Sequence, residues 1–383
     1  MIDNFLSLHT RELIPILLAS LAVCYLLIRG KHLSPRLTGS HSNLVAVQSA
    51  HTKITPRIGG VAIFATLLGL IFIVDPSDQI FLLKFIFGGS IIFFVGLAED
   101  LGFGVSPKRR LLAVFVAGIA VVMLDGVWLT RLGVPFLDAL VVFPLFGILA
   151  ALILTSGVAN AFNMVDGVNG LSGVTAIAAA MSLSLISWHA GYEFGILFGF
   201  GLIAAVFGFL AFNFPRGLIF LGDAGAYTLG FAVSWLGIFV LESNAEVAPW
   251  AIFLSMFWPI SDMLLAIYRR SRRKADAMAP DRLHAHQLVM RSLELLFLGR
   301  ARRHISNPLT TLILAPFVAA PAMTGAYFWN NNLSAAGAVV GYFVLFWGSY
   351  FAALKVIPKL RKKIAKPAEP DDHKSGVLVS DAA

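Results

Sequence analysis

Eleven apolar blocks run through this 383-residue chain, and they decide the solvent in which it can fold. They cover 13–28, 58–74, 80–98, 111–124, 140–158, 171–188, 194–212, 226–241, 247–268, 309–329 and 333–354. Most reach the ~17 to 25 residues that cross a bilayer as a helix. The first and fourth are short, so the expected count is ten or eleven. With 58% hydrophobic and 13% charged residues, the chain carries about half the charge of a soluble domain, which excludes a water-soluble core. The expectation is an all-α, polytopic integral membrane helical bundle.

The charges are sorted along these blocks. Of 29 Lys and Arg, all but Arg11, Lys84 and Arg131 fall after spans one, three, seven and nine or in the tail. The intervening loops carry Arg131 against Asp75, Asp78, Asp125, Asp138, Glu193, Glu242 and Glu246. Because cytoplasmic loops of membrane proteins collect Lys and Arg, the amino terminus is expected outside and the tail in the cytoplasm. The sole cysteine, Cys24, lies inside the first span, so no intramolecular disulfide can form. The start of the chain lacks the basic stretch and cleavage pattern of a signal peptide, and the first span is expected to be retained. Residues 1–366 read as a single membrane domain with cytoplasmic loops at 29–57, 99–110, 159–170, 213–224 and 269–307. From 367 to 383 the tail is polar and expected to be disordered. The basic excess is explained by topology, and no nucleic-acid partner is expected.

The basic face also holds the unusual acids and amides. Glu99 and Asp100 are adjacent at a helix end, followed by Gly and Pro breakers, and adjacent side chains on a helix diverge unless it frays. Asn160, Asn163, Asp166 and Asn169 recur every three residues and then meet glycines, a pattern that lets the backbone turn and expose N–H groups to a phosphate. Asn213 precedes Phe220, a flat face for a base, and Asp223 in a Gly-x-x-Gly frame, where small neighbours leave room for a hydrated metal. The bland reading of Asp223 is an acid favoured by a helix dipole. Asp262 lies inside the ninth span, where a carboxylate is a functional hypothesis by default. The long loop carries His284, His286 and Arg291. With no cysteine nearby, phosphate binding outranks a zinc site there. Carboxylates that repel one another beside a polyanion need a bridging cation, and Mg²⁺ takes one or two carboxylates plus substrate phosphates. The inferred chemistry is metal-assisted transfer at a phosphate.

These motifs resemble those of the polyprenyl-phosphate N-acetylhexosamine-1-phosphate transferases of glycosyltransferase family 4. The resemblance rests on Thr55-Pro56-Arg57-Ile58-Gly59-Gly60, Glu99-Asp100, Asn160 to Gly173, Phe220 to Gly225 and Asp281 to Arg291, in that order over roughly residues 51–291. It implies that a polyprenyl (undecaprenyl) phosphate attacks the β-phosphorus of a UDP-N-acetylhexosamine with Mg²⁺ or Mn²⁺, releasing UMP at the cytoplasmic face of the bacterial inner membrane. It further implies Glu99, Asp100, Asp166 and Asp223 as catalytic residues, with Asp223 the principal metal ligand and Asp100 a second. Around the substrates it implies Lys53, Asn163, Asn169, Phe220, His284 and His286, to which the residue pattern itself adds Asn160, Asn213, Asp262 and Arg291. A homodimer is also implied.

Three positions depart from the common family pattern: Glu99 and Asn169 where many members have Asp, and Gln287 where many have a third His. The combination is more similar to the branch that initiates O-antigen, within lipopolysaccharide synthesis, than to the peptidoglycan branch. A lipid phosphate is already ionised near neutral pH, so Asp100 is expected to position it rather than deprotonate it. The competing expectations are a transporter or flippase for a charged lipid, using Lys84 and Asp262 at mid-membrane, and a non-catalytic lipid-carrier binding protein.

Overall fold

The computed structural model describes residues 2–30, 55–272 and 283–364. Lys53, Asp281 and the tail from 367 onward lie outside the described residues, as does most of the 29–57 loop. Within the described residues the chain is all-helical and contains no strand. The helices are α1 (Ile2–Arg29), α2 (Gly60–Gly69), α3 (Pro76–Asp100), α4 (Pro107–Asp125), α5 (Pro135–Val141), α6 (Pro144–Val165) and α7 (Leu171–Ala190). They continue as α8 (Glu193–Asn213), α9 (Gly222–Ser243), α10 (Pro249–Ser255), α11 (Phe257–Arg272), α12 (Ala285–Leu293), α13 (Arg303–Tyr327) and α14 (Asn332–Ile364).

Local sequence explains many of the ends. Proline stands in the first turn of α3, α4, α5, α6 and α10, where its missing N–H costs nothing. Gly126 and Gly191 end α4 and α7 in the left-handed conformation.

Every apolar block of the sequence is helical, yet not every one is a full crossing by itself. Seven helices are long and apolar enough to span a bilayer: Pro76–Asp100, Pro144–Val165, Leu171–Ala190, Glu193–Asn213, Gly222–Ser243, Arg300–Tyr327 and Asn332–Ile357. An eighth forms if α10 and α11 are one span, bent by 80° at their junction. The apolar stretches Leu13–Arg29 and Gly60–Phe72 are shorter. α4 opens on Lys108, Arg109 and Arg110, which leaves too little uncharged length.

One helix organises the rest. The apolar window of α9 is buried around its whole circumference, the signature of a core helix. It packs against α2, α3, α6, α7 and α8. Small residues let backbones meet at its start: a Cβ on Gly60 would lie 2.2 Å from the nitrogen of Gly225, and one on Gly96 would lie 2.7 Å from the Cα of Ala224. Close approach through small residues is how helices associate where lipid removes the hydrophobic drive. Here it also sets the ends of α2 and α3 against the first turn of α9. A second apolar cluster joins α11, α12, α13 and α14 through Phe257, Trp258, Leu288, Leu314 and Phe346. α14 is peripheral, with only 11% of its apolar window buried.

Candidate active site

The C-termini of α3, α6 and α8 and the N-termini of α4, α7 and α9 gather the polar motifs around the first turn of α9. Asp223 is the second residue of that helix and 4% exposed. Its Oδ1 accepts from Asn163 Nδ2 at 2.9 Å and lies 3.6 Å from Arg57 Nη2. Its Oδ2 is paired with Arg110 Nη1. The Arg110 guanidinium also lies over the Tyr227 ring, 5.8 Å from its centroid. One buried carboxylate is thus held by side chains from three other segments.

Asp100 does something different. Its Oδ1 accepts from the backbone N–H of Asp223 and its Oδ2 from that of Ala224, each at 2.8 Å. The last residue of α3 therefore caps α9 and sets the direction in which Asp223 leaves the helix. Arg57 Nε is 4.0 Å from the Asp100 carboxylate, so one arginine bridges both acids. Gly222 completes this junction with φ +75°, since a Cβ there would sit 2.0 Å from the carbonyl oxygen of Arg57. Each Asp100 oxygen accepts one backbone N–H and keeps a second lone pair.

Glu99 diverges from Asp100, as adjacent helical positions must. It accepts from the N–H of Val105 and closes the loop after α3, in which Gly102 and Gly104 both have positive φ. Asp166 follows the last turn of α6 and is half-buried. Burial pushes its carboxyl up to about 7, against the opposing pull of Arg57.

The remaining amides are mostly braces. Asn213 Oδ1 accepts from Gly170 N at 2.7 Å while its Nδ2 donates to Ile219 O at 2.8 Å. Asn169 Nδ2 donates to Pro215 O at 2.9 Å. Together they tie the 166–170 turn to the 213–220 loop. Asn160 accepts from Tyr227 Oη at 3.4 Å and faces the sulfurs of Met164 and Met263. Phe220 is positioned by its backbone, through Phe220 N to Pro56 O at 2.8 Å and Gly59 N to Phe220 O at 2.9 Å.

The histidine segment docks on the same end of the bundle. Asp262 Oδ2 is 2.8 Å from His284 Nδ1, and its Oδ1 accepts from Ala285 N at 3.0 Å. The Asp262 carboxylate is thereby paired and caps α12. The His284 and His286 rings stack, with centroids 5.8 Å apart and planes within 10°. They do so with His284 extended just before the helix and His286 in its first turn, rather than along one extended segment. Burial pushes His286 down to about 4, so it is neutral at physiological pH. His286 is pressed against the Asn–Asp turn: a Cβ on Gly167 would meet its Nε2 at 2.2 Å. Arg291 points away, exposed in the last turn of α12.

Neither Arg57, present in the 55–60 motif, nor Arg110 is among the site residues expected from sequence, yet both stand on Asp223. Arg110 was legible only as part of a basic run at a helix start, where Lys and Arg ordinarily mark topology. Among the described residues, no three His, Cys, Asp or Glu side chains lie close enough to hold a metal by themselves.

Comparison with known proteins interprets this constellation. Residues 82–241 match the model of glycosyl transferase family 4. The chain is 30% identical over 251 residues to the undecaprenyl-phosphate alpha-N-acetylglucosaminyl 1-phosphate transferase of Yersinia pestis, covering 63% of this chain and 67% of that one. It is 29% identical over 250 residues to the Escherichia coli K12 protein of the same name, with the same coverage. With the decaprenyl-phosphate N-acetylglucosaminephosphotransferase of Mycobacterium tuberculosis it shares 29% identity over 287 residues, 67% of this chain and 69% of that one. The chain belongs to glycosyl transferase family 4. The family match contains Glu99, Asp100, Arg110, Asn163, Asp166 and Asp223, so most of the Asp223 cluster lies within the matched stretch. Arg57 and the histidine segment lie outside the matched stretch and join the cluster only in three dimensions.

Proposed function

We propose that this family 4 member transfers an N-acetylhexosamine 1-phosphate from a UDP-sugar to a polyprenyl phosphate carrier in the membrane. The observation that carries the reading is the buried Asp223 carboxylate, held between Arg57, Arg110 and Asn163 on a helix start that Asp100 fixes. A phosphate oxygen of the lipid attacks the β-phosphorus of the nucleotide sugar. The new P–O bond forms as the bond to the bridging oxygen breaks, and UMP leaves with that electron pair. The nucleophile is already ionised near neutral pH, so positioning outranks deprotonation.

The donors suit Mg²⁺: the acids at the site are hard oxygen ligands, and this ion is commonly held by one or two carboxylates together with substrate phosphates. Asp223 would hold it, and Asp100 would act behind it by orienting Asp223. When bound, the ion neutralises charge on the diphosphate and polarises its phosphorus. Arg57 and Arg110 bring two fixed positive charges to the same place, where they orient the diphosphate and stabilise charge on the leaving UMP. Asn163 keeps the Asp223 carboxylate from rotating. The histidine pair on its Asp262 support closes the side of the site beside Asp166.

The finer reading follows from the charge sorting. The polar end of the bundle faces the cytoplasm of a bacterial inner membrane, the amino terminus lies outside and the tail inside, with up to eleven crossings. The product initiates an envelope polysaccharide, with Asn169 and Gln287 favouring the O-antigen branch.

Purified protein in detergent, incubated with undecaprenyl phosphate, MgCl₂ and a panel of UDP-N-acetylhexosamines, is expected to release UMP and form a lipid-linked sugar with at least one of them. Failure to release UMP from any UDP-sugar would overturn the reading.

A further inference from the structure

The turn that carries Asp166 is gripped from a helix outside the family match. Asn169, three residues after Asp166, has both of its backbone polar groups taken by α13. Its N–H donates to Asn307 Oδ1 at 2.8 Å, and its carbonyl accepts from Thr311 Oγ1 at 2.6 Å. Asn307 and Thr311 are four residues apart and so share one face of α13, one turn above the other. They are 2% and 1% exposed, respectively.

This grip is the second half of a clamp. On the opposite side Asn213 Oδ1 takes the N–H of Gly170, the next residue, and Asn169 Nδ2 reaches Pro215 O. Gly170 itself has φ +84° and is crowded by Phe214, so the turn has little freedom to relax if one side is released. The start of α13 is bound in turn to the end of α12, where Arg303 Nε donates to Glu294 Oε1 at 2.8 Å and Ser306 Oγ donates to the same oxygen at 3.4 Å. The histidine segment and the Asn–Asp turn are therefore registered to one helix.

The composition of the grip argues that geometry is its purpose. Asn307 Nδ2 and Asn169 Oδ1 are buried with no hydrogen-bond partner among the described residues. A buried amide that leaves one end unpaired costs desolvation that an apolar side chain would avoid. What the polar residues supply in return is a fixed position for the two peptide units that meet at Asn169, beside the acids.

We propose that Asn307 and Thr311 are positioning residues of the transfer reaction, acting through the Asn169 peptide to hold Asp166 in register with the Asp100 and Asp223 cluster. The inference rests on the transferase reading above. Positional errors of about 1 Å at a reacting centre cost on the order of 100-fold in rate, so loss of one half of the grip is expected to act on turnover.

The test uses full-length protein with UDP-N-acetylglucosamine, or whichever UDP-sugar the panel identifies, and undecaprenyl phosphate. Thr311→Val removes one hydroxyl at nearly constant volume, Thr311→Ser restores it, and Asn307→Leu removes the acceptor. Thr311→Val and Asn307→Leu are expected to lower kcat about 10- to 100-fold, with KM for the nucleotide sugar changed less than about twofold. Thr311→Ser is expected to stay within about threefold of wild type. Melting temperatures in detergent separate fold from function, and the Thr311 pair carries the comparison if Asn307→Leu does not fold. Asp223→Asn is run beside them. Full kcat in Thr311→Val with Asp223→Asn inactive would overturn the positioning role alone. A lowered melting temperature with unchanged kcat, or a kcat loss that serine does not restore, would do the same. Full transfer by Asp223→Asn would remove the site reading on which the proposal stands.

Discussion

The two ends of α9 solve the same physical problem with opposite charges. At its C-terminus, Arg131 lies among the carbonyls of Leu241, Asn244, Ala245 and Val247 and donates to all four. Glu242 there accepts from both the backbone and the hydroxyl of Thr130. At the N-terminus, the Asp100 carboxylate accepts from the amides of Asp223 and Ala224. Each cap complements the helix dipole. The difference lies in what remains after capping. At the Arg131 end the donors are spent on backbone oxygens. At the Asp100 end a second carboxylate, Asp223, is left facing two arginines, an arrangement that stability alone does not require. Charge that faces charge in a buried place is where phosphate chemistry can be run.

The sharpest way to break this contrast is to neutralise Asp223. Asp223→Asn keeps the shape of the side chain and the Asp100 cap but removes the charge at the centre of the site. UMP release is expected to fall at least about 1,000-fold, the scale on which electrostatic stabilisation of a transition state acts, while the melting temperature in detergent changes little. Arg110→Met ranks next. It preserves apolar contact with Tyr227 and removes one guanidinium from Asp223, and a kcat loss of about 100-fold is expected. An Arg110→Met enzyme with unaltered turnover would mean that this arginine only neutralises Asp223 at rest.

The opposite end should respond in the opposite currency. Arg131→Met leaves four carbonyls without their donor and is expected to destabilise the protein by about 2 kcal/mol, the scale of charged hydrogen bonds that water partly replaces. Thermal unfolding in detergent checks this. Turnover below the melting transition should remain within about twofold of wild type, and a large loss of kcat in a folded Arg131→Met would erase the distinction between the two ends.

How much of this contrast was visible in the chain itself depends on range. The apolar blocks and the Asn, Asp and Gly spacing from Asn160 to Gly170 are local patterns, and they gave the helices and the polar turn directly. The clustering of acids on one side followed from alternation of the spans. The partners of those acids did not. Asp100 and Asp223 are separated by 123 residues, and the packing of α3 on α9, through Gly96 on Ala224 and Phe85 on Phe231, brings the end of one to the start of the other. Arg110 read as topology, and Arg57 as part of a motif without a stated role, because sequence does not show which way a basic side chain at a helix end will turn. Asn169 and Asn213 read as ligand donors because an amide that braces a loop and an amide that binds a substrate are the same residue in a sequence. The 80° bend between α10 and α11 breaks an apolar block that read as one straight crossing, because a bend leaves no mark in hydropathy.

The smallest expected effect concerns a group the contrast leaves neutral. His286 is 2% exposed and pushed down to about 4 by burial, with Asp262 pulling the other way. Where the ring is open to water its ordinary value is about 6.5. The unfolded form therefore binds a proton first as pH falls. The stability this histidine permits is fully present above about pH 6.5 and is lost as pH falls from there toward about 4. Between pH 7.5 and 5.5 the loss is about 1 kcal/mol, read as a lower melting temperature in detergent. His286→Gln removes the titrating group, and its melting temperature should change less over the same range than that of wild type. If the two curves keep a constant separation, the ring binds its proton in the fold as readily as in water, at about pH 6.5. Below that pH His286 would then be a charged donor beside Asp166, and the charge-facing-charge end of α9 would extend across to the histidine segment.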